Sequence, residues 1–214
     1  MLVGFIAFIV NPQTGRKEFL LLGLILLISL VADVTGMIAW FIYRTNMNLM
    51  YNIYYLLILP MFLLFYKTKI KSSQIGRVLD GIIVLFLAVG LINLLFIQDP
   101  FGITSYTAAF VSISMIVISI VFFYRLIKEL PTETITKLPM FWINTAVLIY
   151  YSGIFFQYLA ADYLVNVLND NLINSWTLKN FLGIFYYCLL TFALWLNRSN
   201  LMLQSSSPRV NTIR

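Results

Sequence analysis

The sequence predicts an all-helical bundle that crosses a membrane about seven times. Three observations predict it: the composition is strongly apolar, the apolar residues form separate runs of span length, and the basic residues collect in alternate connections. The chain of 214 residues is 61% hydrophobic and 10% charged, whereas a soluble domain carries about 25% charged residues. Most of the helices are therefore expected to face lipid on at least one side.

The first predicted span lies within residues 1–15 and is the shortest. Its apolar run, 1–10, does not reach the length of about 20 residues that a helix needs to cross a bilayer. The run has no basic residues before it and no small-residue cleavage site after it, unlike a cleaved signal peptide. It is expected either to extend to Gly15 or to enter the membrane in part.

The other six predicted spans are each long enough to cross a hydrocarbon core of about 30 Å. They are 19–43, 48–66, 77–97, 105–127, 140–162 and 176–196. Short connections with Pro100, Pro131 and Pro139 separate the later ones. Pro60 is the only proline inside a predicted span and is expected to kink it. The sequence thus predicts one transmembrane bundle over 1–197 and a short cytoplasmic tail over 198–214.

Orientation follows from the basic residues, because cytoplasmic connections of membrane proteins carry an excess of Lys and Arg. Twelve of them fall on one side: Arg16, Lys17, Lys67, Lys69, Lys71, Arg77, Arg125, Lys128, Lys137, Arg198, Arg209 and Arg214. The other side holds only Arg44 and Lys179. We therefore expect an outer N-terminus, a cytoplasmic C-terminus and a multi-pass protein of the inner (plasma) membrane.

The basic residues in the connections also indicate which partners to expect. The net charge of +6 lies in short connections, so it indicates topology rather than nucleic-acid binding. The predicted partners are membrane lipids, whose anionic headgroups suit Lys67, Lys69 and Lys71, and a membrane or cytoplasmic signalling protein. Tryptophan placement agrees with the span limits, because such rings prefer the headgroup level. Each of the four lies within about a turn of a predicted span end: Trp40, Trp142, Trp176 and Trp195.

Asp33 is the most informative single residue. It lies near the middle of the second predicted span, with apolar residues on both sides. A carboxylate costs about 3 kcal/mol at the bilayer centre, so it is expected to face the bundle interior, hydrogen-bonded or protonated. Two interpretations stay open. Asp33 belongs to a site for a ligand, a proton or an ion, or it is a protonated hydrogen-bonding link between helices.

Several polar residues fall at a similar depth and extend this hypothesis. In each adjacent tyrosine pair one ring can point inward, because neighbours on a helix point about 100° apart. The candidate ligand-binding residues are Asp33, Asn52, Tyr54, Tyr55, Tyr150, Tyr151, Tyr186 and Tyr187. Aromatic filling of the core of the bundle is the alternative interpretation.

Other mechanisms lack the residues that they need. The absence of histidine excludes Ser-His and Cys-His catalysis and nearly all zinc chemistry, and no cofactor or metal is expected. Asp80 lies roughly 15 Å from Asp33 in depth and is expected to pair with Arg77 one turn earlier. A carboxylate pair for hydrolysis or lipid modification is therefore disfavoured. Lys179 lies too near the outer entrance for a retinal Schiff base.

Four segments resemble a family of uncharacterised bacterial multi-pass membrane proteins of the Bacteroidetes type. They are 51–54, 92–98, 139–144 and 149–153, together with the Trp195 end of the last span. Asp33 stands where that family would be expected to have Glu. The plan also resembles, more loosely, the seven-span sensor modules of bacterial receptors. The first likeness implies a bacterial inner membrane, and the second implies signalling.

The sequence thus favours a sensor or receptor without catalysis of its own, which binds a small or lipidic ligand or a membrane partner. A small-molecule transporter and a subunit of a larger membrane complex remain open as alternatives. A transporter would need an aqueous path to Asp33, and only one proline–glutamine pair, Pro12-Gln13, is present where hinged transporters repeat it.

Overall fold

The computed structural model describes residues 17–43, 48–70, 72–97, 105–129, 134–159 and 173–206. In these residues it has six long helices. We label them α1 (Lys17–Ile38), α2 (Asn48–Lys69), α3 (Ser73–Ile92), α4 (Ser105–Glu129), α5 (Pro139–Leu159) and α6 (Ile173–Ser206). Short π-helical segments extend α1 over Ala39–Tyr43 and α3 over Asn93–Ile97, and a 3-10 turn at Ile135–Lys137 precedes α5.

Each long helix contains a segment of 21 to 25 residues that is long and apolar enough to cross a membrane. The prediction of an all-helical, multi-pass membrane protein is confirmed to that extent. The first predicted span, 1–15, lies outside the described residues. Seven crossings and the sidedness of the bundle therefore stay predictions.

The helix limits agree closely with the predicted spans and differ mainly at the basic ends. α2 begins at Asn48 as predicted and continues to Lys69, and it runs through Pro60. α5 begins at Pro139, where the missing backbone N–H costs no helical hydrogen bond. α6 continues to Ser206, so the predicted tail begins as part of this helix.

α2 is the central helix of the bundle. It packs against α1, α3 and α4, while α5 packs between α4 and α6. Ten of the 22 residues of α2 are buried, and Ile58, Leu59, Phe62 and Tyr66 have no exposed surface. In contrast, α3 buries four residues, Gly76, Leu79, Phe86 and Gly90. The helices around α2 expose many apolar side chains, as expected for helices that face lipid.

Small residues let α1 approach α2 closely. The buried positions in the C-terminal half of α1 and its π-helical extension are Ser29, Ala32, Gly36 and Ala39, while Val31 and Val34 are exposed. A Cβ atom at Gly36 would overlap the hydroxyl of Tyr51. The close packing of small residues is a common basis for helix association in membranes.

A buried polar network joins α2, α4 and α5. The Tyr66 hydroxyl donates to Asn144 Oδ1 at 2.7 Å, and Asn144 Nδ2 donates to the Ser119 carbonyl oxygen at 2.9 Å. Tyr66, Ser119 and Asn144 have no exposed surface. The hydrogen bonds satisfy polar groups that cannot reach water, and they fix how the three helices pack.

The ion pair predicted for Asp80 is wrong in its partner. Asp80 pairs with Lys67 at 2.6 Å, not with Arg77 one turn earlier. The end of α2 and the start of α3 lie side by side. Asp80 therefore pairs with a lysine of the neighbouring helix rather than with the arginine of its own helix. Both side chains are well exposed, 37% for Lys67 and 50% for Asp80.

Two of the four tryptophans have described side chains. Trp142 lies in the first turn of α5, and its indole nitrogen donates to the Thr136 carbonyl oxygen at 2.8 Å. Trp195 is 60% exposed and lies two residues before the end of the candidate span Thr177–Asn197. Both positions are consistent with the headgroup level.

Candidate functional site

Asp33 lies at the edge of the α1 face that packs on α2. Its side chain is half-buried, and Ser29 one turn before it and Gly36 one turn after it are both buried. Val34, the next residue, is exposed on the outer side of the helix. The carboxylate is therefore beside the helix interface rather than in the middle of the lipid-facing surface.

Lys179 of α6 carries the charge opposite to that of Asp33. The described residues form no direct ion pair between them. The Lys179 ammonium nitrogen lies 4.3 Å from the centre of the Tyr51 ring, a favourable cation–π contact. Tyr51 also lies within electrostatic range of Asp33. We call Asp33, Tyr51 and Lys179 the acid–lysine cluster.

The acid–lysine cluster occupies one half of the bundle. Lys179 is the third residue of the span Thr177–Asn197, and Tyr51 is the fourth residue of the span Asn48–Lys69. Asp33 is ten residues from Tyr43, where the first described span ends, a distance of roughly 15 Å along a helix. Tyr51 bridges this depth, because its hydroxyl end reaches Gly36 while its ring contacts Lys179.

Tyrosine hydroxyls surround this cluster and connect its helices. The Tyr54 hydroxyl lies 3.3 Å from Ser29 Oγ, which joins α2 to α1. The hydroxyls of Tyr55 and Tyr158 are hydrogen-bonded to each other. These contacts make α2 and its tyrosines the link between α1 and α5.

The structure brings the predicted tyrosines of α5 and α6 into the same group. The Tyr150 ring lies 4.8 Å from the Tyr186 ring and 5.1 Å from that of Tyr151. The centres of the Tyr186 and Tyr187 rings are 5.0 Å apart. Asn52 is buried on α2, next to Tyr51 in the chain.

Sequence reasoning missed four residues of this site. They are Ser29, Tyr51, Tyr158 and Lys179. Lys179 enters the sequence prediction for orientation and for the exclusion of retinal, and not as a site residue. The signal for it was its charge, because one acid and one lysine fall within two apolar spans. That Tyr51 of α2 connects these spans is a property of the packed bundle.

The arrangement can bind and orient, and it lacks the groups for metal chemistry. In the described ranges no three His, Cys, Asp or Glu residues lie close enough together to hold a metal ion. Asp80 is paired with Lys67 at the other end of the bundle, so it does not share a site with Asp33. One carboxylate, one ammonium and several phenols remain, which suit hydrogen bonding to a polar molecule.

Comparison with known proteins finds no matching family model, no matching curated protein and no matching solved structure. The resemblance to bacterial multi-pass proteins therefore stays a prediction from the sequence. The function has to be argued from the acid–lysine cluster itself.

Proposed function

We propose that this protein is a membrane sensor or receptor that binds a small zwitterionic molecule at the acid–lysine cluster, without catalysis of its own. One observation carries the proposal: the Lys179 ammonium of α6 lies over the Tyr51 ring of α2, and the Tyr51 hydroxyl reaches α1 one turn from Asp33. An acid inside a span is costly and usually marks a functional site.

A ligand with both charges would complement this arrangement. Its ammonium group would meet Asp33, its carboxylate would meet Lys179, and the hydroxyls of nearby tyrosines would donate and accept hydrogen bonds. Aromatic rings supply apolar contact for the rest of the molecule, as in most small-molecule sites. A ligand that contacts both α1 and α6 favours the conformation of the bundle in which these two helices are closest. Binding would shift the conformational equilibrium toward that state.

The topology gives this site a direction. With seven spans, an outer N-terminus and a cytoplasmic C-terminus in a bacterial inner membrane, the acid–lysine cluster would open to the outside. The basic ends of α2, α4 and α6 would then face the cytoplasm. A signalling partner would contact the protein at those basic ends.

Ligand-dependent thermal unfolding of the purified protein tests the proposal. The probes are the twenty standard amino acids and glycine betaine, measured in a neutral detergent. Binding stabilises a protein by about 2.7 kcal/mol when the ligand is at 100 times its dissociation constant. We expect at least one probe to raise the unfolding temperature of the wild type and to lose that effect in Asp33→Asn and in Lys179→Gln.

Asp80→Asn is the matched control, because it removes one carboxylate at the exposed ion pair with Lys67. It should respond to the probe like the wild type. The proposal is wrong if no probe shifts the wild type, or if all three variants respond as the wild type does.

A transporter is the second candidate, because opposite charges within spans also suit a substrate path. Ser29→Cys in a Cys188→Ser background separates the two functions, since Ser29 contacts Tyr54 beside the cluster. A receptor predicts reaction with a charged thiol reagent from one side of the membrane. A transporter predicts reaction from either side.

A subunit of a larger complex is separated from both by purification in mild detergent followed by mass spectrometry. A receptor that works through a transient partner predicts the chain alone. A complex subunit predicts stoichiometric membrane partners.

A further inference from the structure

A cleft opens at the basic end of the bundle, far from the acid–lysine cluster. Its volume is about 220 Å³, and it lies between the ends of α2 and α4 and the start of α5. Two cationic side chains face apolar ones across it. The lining includes Lys69, Ile70, Phe122, Arg125, Leu138 and Met140.

The cleft lies at the level of a membrane surface. Lys69 is the last residue of its candidate span, and Arg125 comes three residues before the end of the span Tyr106–Lys128. The third wall of the cleft is the start of α5, which is also the start of the span Pro139–Leu159. Three span ends from three helices therefore meet at one depth, which is where lipid headgroups lie.

The walls of the cleft are fixed by contacts with the rest of the protein. The Phe122 ring lies 5.2 Å from the Tyr66 ring, whose hydroxyl is hydrogen-bonded in the core. On the other side, the Trp142 indole donates to the Thr136 carbonyl oxygen at 2.8 Å and holds the turn that leads into α5. The shape is thus built by the fold.

We propose that this cleft binds the headgroup of an anionic phospholipid. The phosphate would lie between the Lys69 ammonium and the Arg125 guanidinium, which are the two ordinary donors for phosphate in proteins. The glycerol and the first acyl carbons would contact Phe122 and Met140, and the acyl chains would stay in the bilayer. The cleft is large enough for a headgroup and smaller than a site of roughly 300 Å³ or more that encloses a whole ligand.

This site differs from general attraction of a basic surface to anionic lipid. General attraction depends on the number of charges near the membrane. Binding in a preformed cleft depends on which basic residues line it. The cleft would hold one lipid in contact with α2, α4 and α5. Lys128 provides the comparison, because it is exposed at the same level of α4 and is not among the lining residues.

Native mass spectrometry of the full chain tests the proposal. The protein, in neutral detergent, is mixed with equal amounts of dioleoylphosphatidylglycerol and dioleoylphosphatidylcholine. We expect the wild type to retain phosphatidylglycerol in preference. The loss of one basic residue near a membrane should lower the preference for phosphatidylglycerol about fivefold. We expect this fall in both Lys69→Gln and Arg125→Gln. Lys128→Gln should leave it unchanged.

The remaining arms decide between the cleft and its alternatives. Arg125→Lys keeps the charge and should retain most of the preference, and helical circular dichroism shows which variants are folded. Lys69→Gln changes a helix end, so it tests the cleft even if Arg125→Gln does not fold. An equal fall in Lys128→Gln, equal retention of phosphatidylcholine, or displacement of phosphatidylglycerol by equimolar soluble glycerol 3-phosphate would each overturn the proposal.

Discussion

The Lys179 ammonium nitrogen lies 4.3 Å from the centre of the Tyr51 ring, and this contact joins the N-terminal ends of the spans in α6 and α2. Tyr51 in turn rests against Gly36 of α1. Asp33 lies one turn before Gly36 on the same helix. The first two helices and the last one therefore meet through one aromatic ring. A change at any of these positions should affect the others.

Gly36→Ala is expected to destabilise the protein. The added Cβ would overlap the Tyr51 hydroxyl, and the ring would have to move away from Lys179. The free energy of unfolding should fall by about 1 kcal/mol, the lower end for overpacking, because Tyr51 is only half-buried. The measurement is equilibrium unfolding in mixed detergent and dodecyl sulfate micelles.

Gly81→Ala is its matched control. A Cβ at Gly81 meets nothing within 4 Å, and alanine favours a helix over glycine by about 0.5–1 kcal/mol. Gly81→Ala should therefore be neutral or stabilising. If the two variants unfold alike, the close approach of Tyr51 to α1 does not exist.

Tyr66→Phe tests the buried polar network. The change removes the hydroxyl that donates to Asn144 Oδ1 and leaves an acceptor without its donor in the core. Hydrogen bonds between membrane helices contribute about 0.6 kcal/mol on average and up to about 1.7, and we expect the upper part of this range. Tyr106→Phe, at a tyrosine that is 71% exposed, should have no effect in the same unfolding assay. Equal stability of both variants would mean that the network contributes nothing.

Asp80→Asn is expected to have little effect, in contrast to changes at the acid–lysine cluster. The pair with Lys67 is short, 2.6 Å, but both side chains are well exposed. Exposed ion pairs contribute about 0.2–1 kcal/mol and are screened by salt. Any loss in unfolding free energy at low salt should vanish at about 1 M salt, where the Debye length is near 3 Å. A large loss that persists at high salt would contradict this.

Cys188 reports on the membrane directly. It is exposed on the outside of the bundle and lies nine residues before the end of its candidate span, so lipid should cover it. A charged maleimide should not modify it in native membranes until detergent denatures the protein. Ser73→Cys in a Cys188→Ser background, at the exposed start of α3, should react at once. Rapid labelling of Cys188 in intact membranes would contradict the assignment of α6 as a span.

The fold was largely predictable from the sequence, because length and composition alone determine what can cross a bilayer. The starts of α2 and α4 at Asn48 and Ser105 are the predicted ones. Span existence depends on local composition, so no knowledge of packing was needed. The extension of α6 to Ser206 was not predicted, because polar residues after a span neither require nor forbid a helix.

Contacts across helices were predictable only in part. In a water-soluble helix the apolar face shows which side is buried, but here lipid and core are both apolar. The rotation of each helix is therefore weakly encoded by hydrophobicity. Asp33 and the tyrosine pairs were found because polar groups are conspicuous in spans. Lys179 and the Lys67–Asp80 pair were missed because they depend on which helices are neighbours.

A double-mutant cycle on Asp33→Asn and Lys179→Gln tests the central claim most directly, with unfolding free energies measured in lipid nanodiscs. The proposed site requires that Asp33 and Lys179, on different helices, interact, so each single change should leave the other charge without its counterpart. We predict that the double variant is more stable than the sum of the single losses implies, by about 1 kcal/mol, which exceeds the 0.3–0.5 kcal/mol scatter of independent sites. Strict additivity would mean that Asp33 and Lys179 do not interact, and the proposed binding site would lose its basis.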